Sequence, residues 1–390
     1  MRILSVHNRY QVRGGEEECY EAEINLLRQN GHSVISYEDH NDRIKTMPAL
    51  QLAARTIWSQ GDYTRIRRCL AEQPIDVVHV QNFFPLISPA VYYAAQAEQV
   101  PVVQTLHNYR LLCPNALFFR DGKPCEDCLG KALPVPSIHH GCYQQSRVAS
   151  AVTTAMLSTH RALGSWQDKV DIYIALTQFA RQKFVEGGLP ADRIVVKPHF
   201  ISPDPGPGTG QGKFALYVGR LSVEKGLDIV IEAWQSVGSN LPLKIVGDGL
   251  LADFVTEATQ KFSYIEYLGR QPLAEVYALM GEATCLIFPS KWYETFGRVA
   301  IEAFAKGTPV IGAKHGAIEE LIDHGRTGLH FNPGDANHLA EQVLWCLANP
   351  QTLAEMRVEA RREFEKNYGA DLNLKKLTEI YQKVAADRKN

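Results

Sequence analysis

The stretch Ala283-Thr-Cys-Leu-Ile-Phe288-Pro-Ser-Lys-Trp-Tyr-Glu294-Thr-Phe-Gly297-Arg-Val-Ala-Ile-Glu302 decides how this chain folds. Its first part, 283–288, is short, apolar and closed by Pro289-Ser290, so it reads as a buried strand. From Arg298 to Lys306 the spacing is helical, and Gly307 stops it. Glu294 then sits in the connecting loop, Phe296, Gly297 and Arg298 form the first helical turn, and Glu302 lies about one turn further on. Unpaired amides at such a turn favour an anion. Carboxylates on either side of an anion would repel it, so they are better suited to accepting hydrogen bonds from hydroxyls of a sugar or ribose. A solvated loop glutamate and a salt-bridged helix glutamate explain the same nine residues equally well.

Working outward, the strand-then-helix unit recurs. Apolar runs bounded by turn residues fall at 3–7, 33–37, 77–80, 102–106, 172–176 and 194–196, then at 214–218, 243–246, 264–268, 284–288, 309–311 and 328–331. Six strands alternating with helices, then six more, predict an α/β chain of two doubly wound, Rossmann-like domains facing a cleft. The densest Pro/Gly stretch, 202–212, reads as the linker between a first domain at 1–201 and a second at 213–370. The remainder, 371–390, follows a Tyr368-Gly369 break and is expected to be a helix packing back on the first domain.

Composition narrows the function. The 390 residues are 45% apolar and 22% charged with a net charge of -2, which suits two globular domains and gives no electrostatic case for nucleic acid. The N-terminal residues run straight into a strand-like segment rather than a signal peptide, and nothing approaches the roughly 20 apolar residues of a membrane span. A cytoplasmic protein is expected. Between 43 and 70, Arg55, Arg65, Arg67 and Arg68 mix with Ile57, Trp58, Ile66 and Leu70, which reads first as a solvated basic helix face; peripheral contact with the inner face of the membrane is the alternative. Four of the eight cysteines, Cys113, Cys125, Cys128 and Cys142, fall within thirty residues. A structural zinc site is the first reading, with His139 or His140 able to replace a sulfur; disulfides and buried thiols are the alternatives.

The second domain opens with Tyr217-Val-Gly219-Arg-Leu-Ser-Val-Glu-Lys225-Gly, a strand end entering a glycine-punctuated loop. Gly219 permits close backbone approach, and Arg220 and Lys225 place two cations above the edge where the 298–306 helix begins. Such a set could stabilise a departing nucleoside diphosphate without a divalent metal. In the first domain, Arg13-Gly14-Gly15-Glu16 precedes a helical run from Glu17 to Gln29; it lacks the dinucleotide glycine pattern, so NAD and FAD are disfavoured. His107 ends a buried strand and is placed to hydrogen-bond a sugar hydroxyl or assist proton movement.

Together these pieces resemble the retaining glycosyltransferases of family 4, whose fold is called GT-B, and among them the bacterial group 1 enzymes of surface polysaccharide synthesis. The matching segments are Gly14-Gly15, 219–226, Val246-Gly-Asp-Gly249, 294–302 and 316–325, in family order across both domains. The resemblance implies a hexosyltransferase that moves a sugar from UDP-glucose or a related UDP-sugar to a hydroxyl of a polysaccharide or lipid-linked oligosaccharide. It implies that Arg220 and Lys225 grip the diphosphate, that Glu302 bonds the ribose, and that Glu294 with the amides of Phe296, Gly297 and Arg298, beside Thr295, holds the donor sugar and its phosphate. His107 lies near that sugar, Gly14-Gly15 closes over the diphosphate, and backbone at Gly219, Gly269 and Arg270 lines the nucleotide. His107, Arg220, Lys225 and Glu294 are thus the expected catalytic set, with no catalytic cofactor and zinc as a structural one. Pro198-His199-Phe200 replaces an Asn-Gly common among relatives. A sugar-nucleotide epimerase or phosphorylase, and a silent sugar-nucleotide-binding subunit, are the competing readings.

Overall fold

The structure, a computed structural model, describes residues 1–387, and the chain divides into two compact units. The first comprises Met1–Phe118, Cys125–His199 and the C-terminal stretch from Asp371; the second comprises Phe119–Pro124 and Phe200–Ala370.

The first unit is built on β1 (Arg2–Arg9), β2 (Ser33–His40), β3 (Val77–Asn82) and β4 (Val102–Thr105). A short antiparallel hairpin, β5 (Phe119–Arg120) and β6 (Lys123–Pro124), follows, and β7 (Ile172–Ala175) and β8 (Ile194–Val196) complete the first sheet. Its order is β2-β1-β3-β4-β7-β8, with every pairing parallel. The second sheet uses β9 (Ala215–Val218), β10 (Leu243–Val246), β11 (Ile265–Gly269), β12 (Cys285–Phe288), β13 (Val310–Ala313) and β14 (Gly328–Phe331). They pair in parallel in the order β11-β10-β9-β12-β13-β14. Every predicted run contains a strand; β3, β4, β7, β12, β13 and β14 are buried throughout, as expected of strands covered on both faces by crossover helices, whereas the edge strands β2 and β11 are largely half-buried or exposed. The β5–β6 hairpin is absent from the sequence reading.

In each sheet the strand order reverses once, between β1 and β3 and between β9 and β12. Ligands of open parallel sheets bind at the carboxyl ends of the strands flanking such a reversal. The loops after β1, β9 and β12 carry Gly14-Gly15, Gly219-Arg220 and Glu294, so topology sets these motifs at the two switch points.

Two helix starts differ from the sequence reading. The helix Gly15–Gln29 begins earlier than Glu17 because the Glu17 carboxylate accepts from the amides of Gly14 (3.0 Å) and Tyr10 (2.8 Å), which makes Gly15 the first helical residue. The helix Arg298–Ala305 begins later, with Phe296 and Gly297 ahead of it. Gly297 has φ 113°, and a Cβ there would meet the Phe288 ring at 2.7 Å, so the chain swings left-handed before the helix can start.

The first core joins Tyr20, Ile24 and Leu27 of the helix Gly15–Gln29 to Ile3, Val34 and Val77 and to Leu377, Tyr381 and Val384 of the terminal helix Ala370–Asp387. The last helix therefore completes the core begun by the first strand, each fully buried large apolar side chain contributing roughly 1.5–3 kcal/mol. Trp234, Ile245, Ile287, Ile311 and Phe331 anchor the second core. The 202–212 stretch is bound along the second unit, where the amides of Gly208, Gly210 and Gly212 donate to the carbonyls of Lys306, Gly281 and Glu282. Asp204 adds an ion pair with Arg361 at 2.6 Å.

Most of the basic stretch between 43 and 70 is engaged within the protein. Arg55 bonds Asp39 (2.7 Å) and Asp62 (2.8 Å), Arg65 bonds Asp62, Arg67 bonds Glu98 (2.7 Å), and Ile66 and Leu70 are buried in the protein. Intramolecular carboxylates thus engage three of the four arginines and the core takes Ile66 and Leu70, while Arg68 is exposed and Ile57 and Trp58 are half-buried. Among the described residues no helix is long and apolar enough to cross a membrane.

Candidate functional site

At the second switch point, β9 ends at Val218 and leads into Gly219 and Arg220. Close packing against the Val246-Gly-Asp-Gly249 turn holds this loop: the Gly219 amide donates to the Val246 carbonyl, and a Cβ on Gly247 would sit 1.8 Å from the Gly219 carbonyl oxygen. Arg220 extends outward, its side chain 58% exposed, and reaches Glu224 at 2.9 Å. Burial opposes charge on Glu224, but the Ser222 hydroxyl (2.6 Å) with Arg220 and Lys225 outweighs it and holds the carboxyl below the usual range.

Lys225 turns toward the loop after β12. Its Nζ lies 2.5 Å from Glu294 Oε1, which also accepts from Ser290 Oγ (2.8 Å) and Trp292 Nε1 (2.9 Å). The ammonium stands 5.2 Å from the centre of the Trp292 ring. Glu294, Thr295 and Phe296 are buried, and Glu302 takes Arg298 Nε at 2.9 Å one helical turn along. Gly269 closes β11, its carbonyl accepting the Gly247 amide, and Arg270 is exposed beside it. The structure thus couples Lys225 to Glu294 and Arg298 to Glu302. Ser290 and Trp292 were missed by sequence reasoning, although their place just ahead of Glu294 was a usable signal.

At the first switch point the chemistry is more enclosed. His107 Nε2 lies 2.6 Å from Gln81 Oε1, and its ring stacks on His199 at 5.2 Å and 13°. His199, part of the Pro198-His199-Phe200 departure, therefore packs against the histidine the sequence singled out. Burial above all pushes His107 down to about 3, which leaves a neutral imidazole. Gly14 and Gly15 are exposed at their helix start. Glu16 is turned inward: its Oε2 accepts from Tyr10 Oη (3.1 Å) and Asn108 Nδ2 (3.3 Å), while Oε1 is buried without a hydrogen-bond donor. Burial, then the neighbouring Glu17, pushes Glu16 up to about 8. A small cavity alongside is lined by Gln81, Phe84, His107, Asn108 and Arg110. The Arg110 guanidinium lies over the rings of Phe84 (4.3 Å) and Tyr143 (4.8 Å).

All eight cysteines are thiols, and among the described residues no group of three or more His, Cys, Asp or Glu is arranged to hold a metal ion. Cys128 Sγ points at the Pro134 carbonyl at 3.9 Å, and burial, reinforced by Cys113, Cys142 and Cys125, pushes that thiol up to about 12. The four sulfurs share a neighbourhood in which Cys113 and Cys128 are buried.

The sequence pattern described as Glycosyltransferase Family 4 matches residues 14–205, and that described as Glycosyl transferases group 1 matches 205–363. The chain belongs to glycosyltransferase family 4. An uncharacterised glycosyltransferase of Methanocaldococcus jannaschii is 32% identical over 178 residues, 45% of this chain and 50% of that relative, so the chain spans half the length of that curated relative. The phosphatidyl-myo-inositol mannosyltransferase of Mycobacterium leprae is 24% identical across 85% of this chain and 80% of its own. Among solved structures, Anabaena HepE in complex with UDP and glucose superposes with a TM-score of 0.70 at 19% identity, over 98% of this chain and 100% of HepE. The two parallel-sheet units have the GT-B fold of such glycosyltransferases.

Proposed function

We propose that this glycosyltransferase moves a hexosyl group from a UDP-sugar, UDP-glucose first among the candidates, to a hydroxyl of a polysaccharide or lipid-linked saccharide, with retention of configuration. The observation that carries the reading is the Lys225–Glu294 pair at the second switch point, a cation and a hydroxyl acceptor held together where a nucleotide sugar is expected. In this reading Lys225 leaves Glu294 for the donor diphosphate when substrate arrives, and the vacated carboxylate oxygen takes a sugar hydroxyl. Ser290 and Trp292 keep Glu294 oriented through the exchange. Arg220 adds the second positive charge, and the amides at Phe296, Gly297 and Arg298 meet the phosphate.

The acceptor oxygen attacks the anomeric carbon on the face from which the diphosphate departs. The C–O bond to phosphate breaks, and the acceptor proton passes to a phosphate oxygen. Arg220 and Lys225 stabilise the charge that builds on the leaving group, so no divalent metal is needed. His107, neutral, bonds a hydroxyl of the donor sugar; Glu302 takes the ribose. Support comes from the family, from HepE being held with UDP and with UDP-glucose, and from the lipid acceptor in the name of the M. leprae relative. Incubation with UDP-glucose, a chelator and a panel of saccharide acceptors tests this. An α-linked product from the α-linked donor is expected, and a β-linked product would contradict the mechanism.

A further inference from the structure

Beneath His107 the first unit buries a chain of polar groups from parts of the sequence far apart. Lys197, with a side chain 2% exposed, donates from Nζ to Glu23 Oε2 at 3.2 Å and to Asn373 Oδ1 at 2.9 Å. Asn373 belongs to the terminal helix and anchors itself by donating from Nδ2 to the Pro198 carbonyl at 2.7 Å. The other oxygen of Glu23 accepts from Gln81 Nε2 at 2.6 Å, and Gln81 Oε1 meets His107 Nε2 at 2.6 Å. His79, 3.3 Å from Glu23, is tied off by Tyr381 (2.6 Å) and Thr105 (2.8 Å).

Hydrogen-bond polarity can be followed along this chain. Burial disfavours charge on Glu23, but Lys197 outweighs it and keeps the carboxyl below its usual range, hence ionised and acceptor-only. A carboxylate oxygen at 2.6 Å must face the NH2 end of the Gln81 amide, which turns the carbonyl end to His107. A carbonyl only accepts, so the proton on His107 sits on Nε2 and the lone pair on Nδ1.

We infer that Gln81, Glu23 and Lys197, braced by Asn373 of the terminal helix, are positioning residues that fix His107 as the Nε2–H tautomer and so present Nδ1 as a hydrogen-bond acceptor. The ligand group this selects is a hydroxyl donor, not an anionic phosphate oxygen. This rests on the assignment of His107 to the donor sugar. Returning the terminal helix to the first unit thereby serves the site as well as the core.

Histidine-selective 15N labelling of the full chain reads the tautomer directly. Wild type should show His107 protonated at Nε2, Gln81→Leu should lose that preference, and Gln81→Glu, which must share a proton with Glu23 and so still turns an accepting oxygen to His107, should retain it. An Nδ1–H wild type, or a spectrum unchanged in Gln81→Leu, would overturn the inference. If Gln81→Leu does not fold, wild type and Gln81→Glu still decide. In turnover, Gln81→Leu should lower kcat roughly tenfold with little change in KM, as for loss of one transition-state hydrogen bond. A wild-type rate in His107→Ala would refute the sugar assignment while leaving the tautomer result standing, so the two failures are distinguishable.

Discussion

Each unit holds a lysine–glutamate pair near its switch point, and the two differ in almost every respect. Lys197 and Glu23 lie 174 positions apart, with side chains 2% and 9% exposed, and their remaining polar atoms are taken up by Asn373, Gln81 and His79. Lys225 and Glu294 are 69 positions apart on neighbouring strand-end loops, and the lysine side chain is 21% exposed. A sealed pair costs heavily to break because the survivor is stranded in low dielectric. A pair at a loop mouth can trade one partner for a ligand. The first should therefore govern folding and side-chain orientation, the second turnover.

The largest effect should come from the sealed pair. Lys197→Met leaves Glu23 buried and unpaired, a loss of about 3–5 kcal/mol of stability by denaturant unfolding. A melt like wild type would erase the contrast between the pairs. Next, Lys225→Ala should cut turnover roughly a hundredfold, about 2.7 kcal/mol, while leaving the unfolding midpoint nearly unchanged. Arg220→Ala should follow the same pattern. A drop in stability as large as that of Lys197→Met would make the second pair structural too.

Two pH effects sharpen the comparison further. Because His107 is held near 3, turnover should show no histidine limb between pH 5 and 9 in a pH–rate profile. Glu16 supplies the smallest effect. Its value of about 8 lies above its ordinary 4.5, so the stability it contributes is complete below the unfolded value and is lost as pH rises toward 8. Glu16→Gln should therefore gain on wild type across that window, by about 1–2 kcal/mol once partial exposure is discounted. An equal pH dependence in both proteins would place Glu16 in a more polar setting than the structure gives it.

The contrast also explains what could be read from the chain. The second unit's residues sit on two loops after neighbouring strands, where Gly219, Arg220, Lys225, Glu294 and Gly297 fall in two short motifs. Local patterning exposes such sites, and both sheets followed from apolar runs for the same reason. The network under His107 has no local signature: Gln81 looks like one more position in a buried strand, Lys197 meets Glu23 from 174 positions away, and Asn373 reaches Lys197 only after the terminal helix folds back. The cysteine group is legible as a cluster from its spacing, but its surroundings are not: the fold buries Cys113 and Cys128, and among the described residues no metal cluster is built. Arg55 and Arg67 find carboxylates on other elements, at Asp39, Asp62 and Glu98, while Arg65 pairs with Asp62 of its own helix, and only the last pairing follows from local spacing.

The central claim is that Lys225 trades Glu294 for the diphosphate of a nucleotide sugar. Measuring release of nucleoside diphosphate from a panel of nucleotide sugars, with a chelator and without added acceptor, in wild type and Lys225→Ala tests it most directly. The account predicts slow hydrolysis of a UDP-sugar by wild type and a loss of roughly a hundredfold in the variant. Equal rates in the two proteins would contradict it.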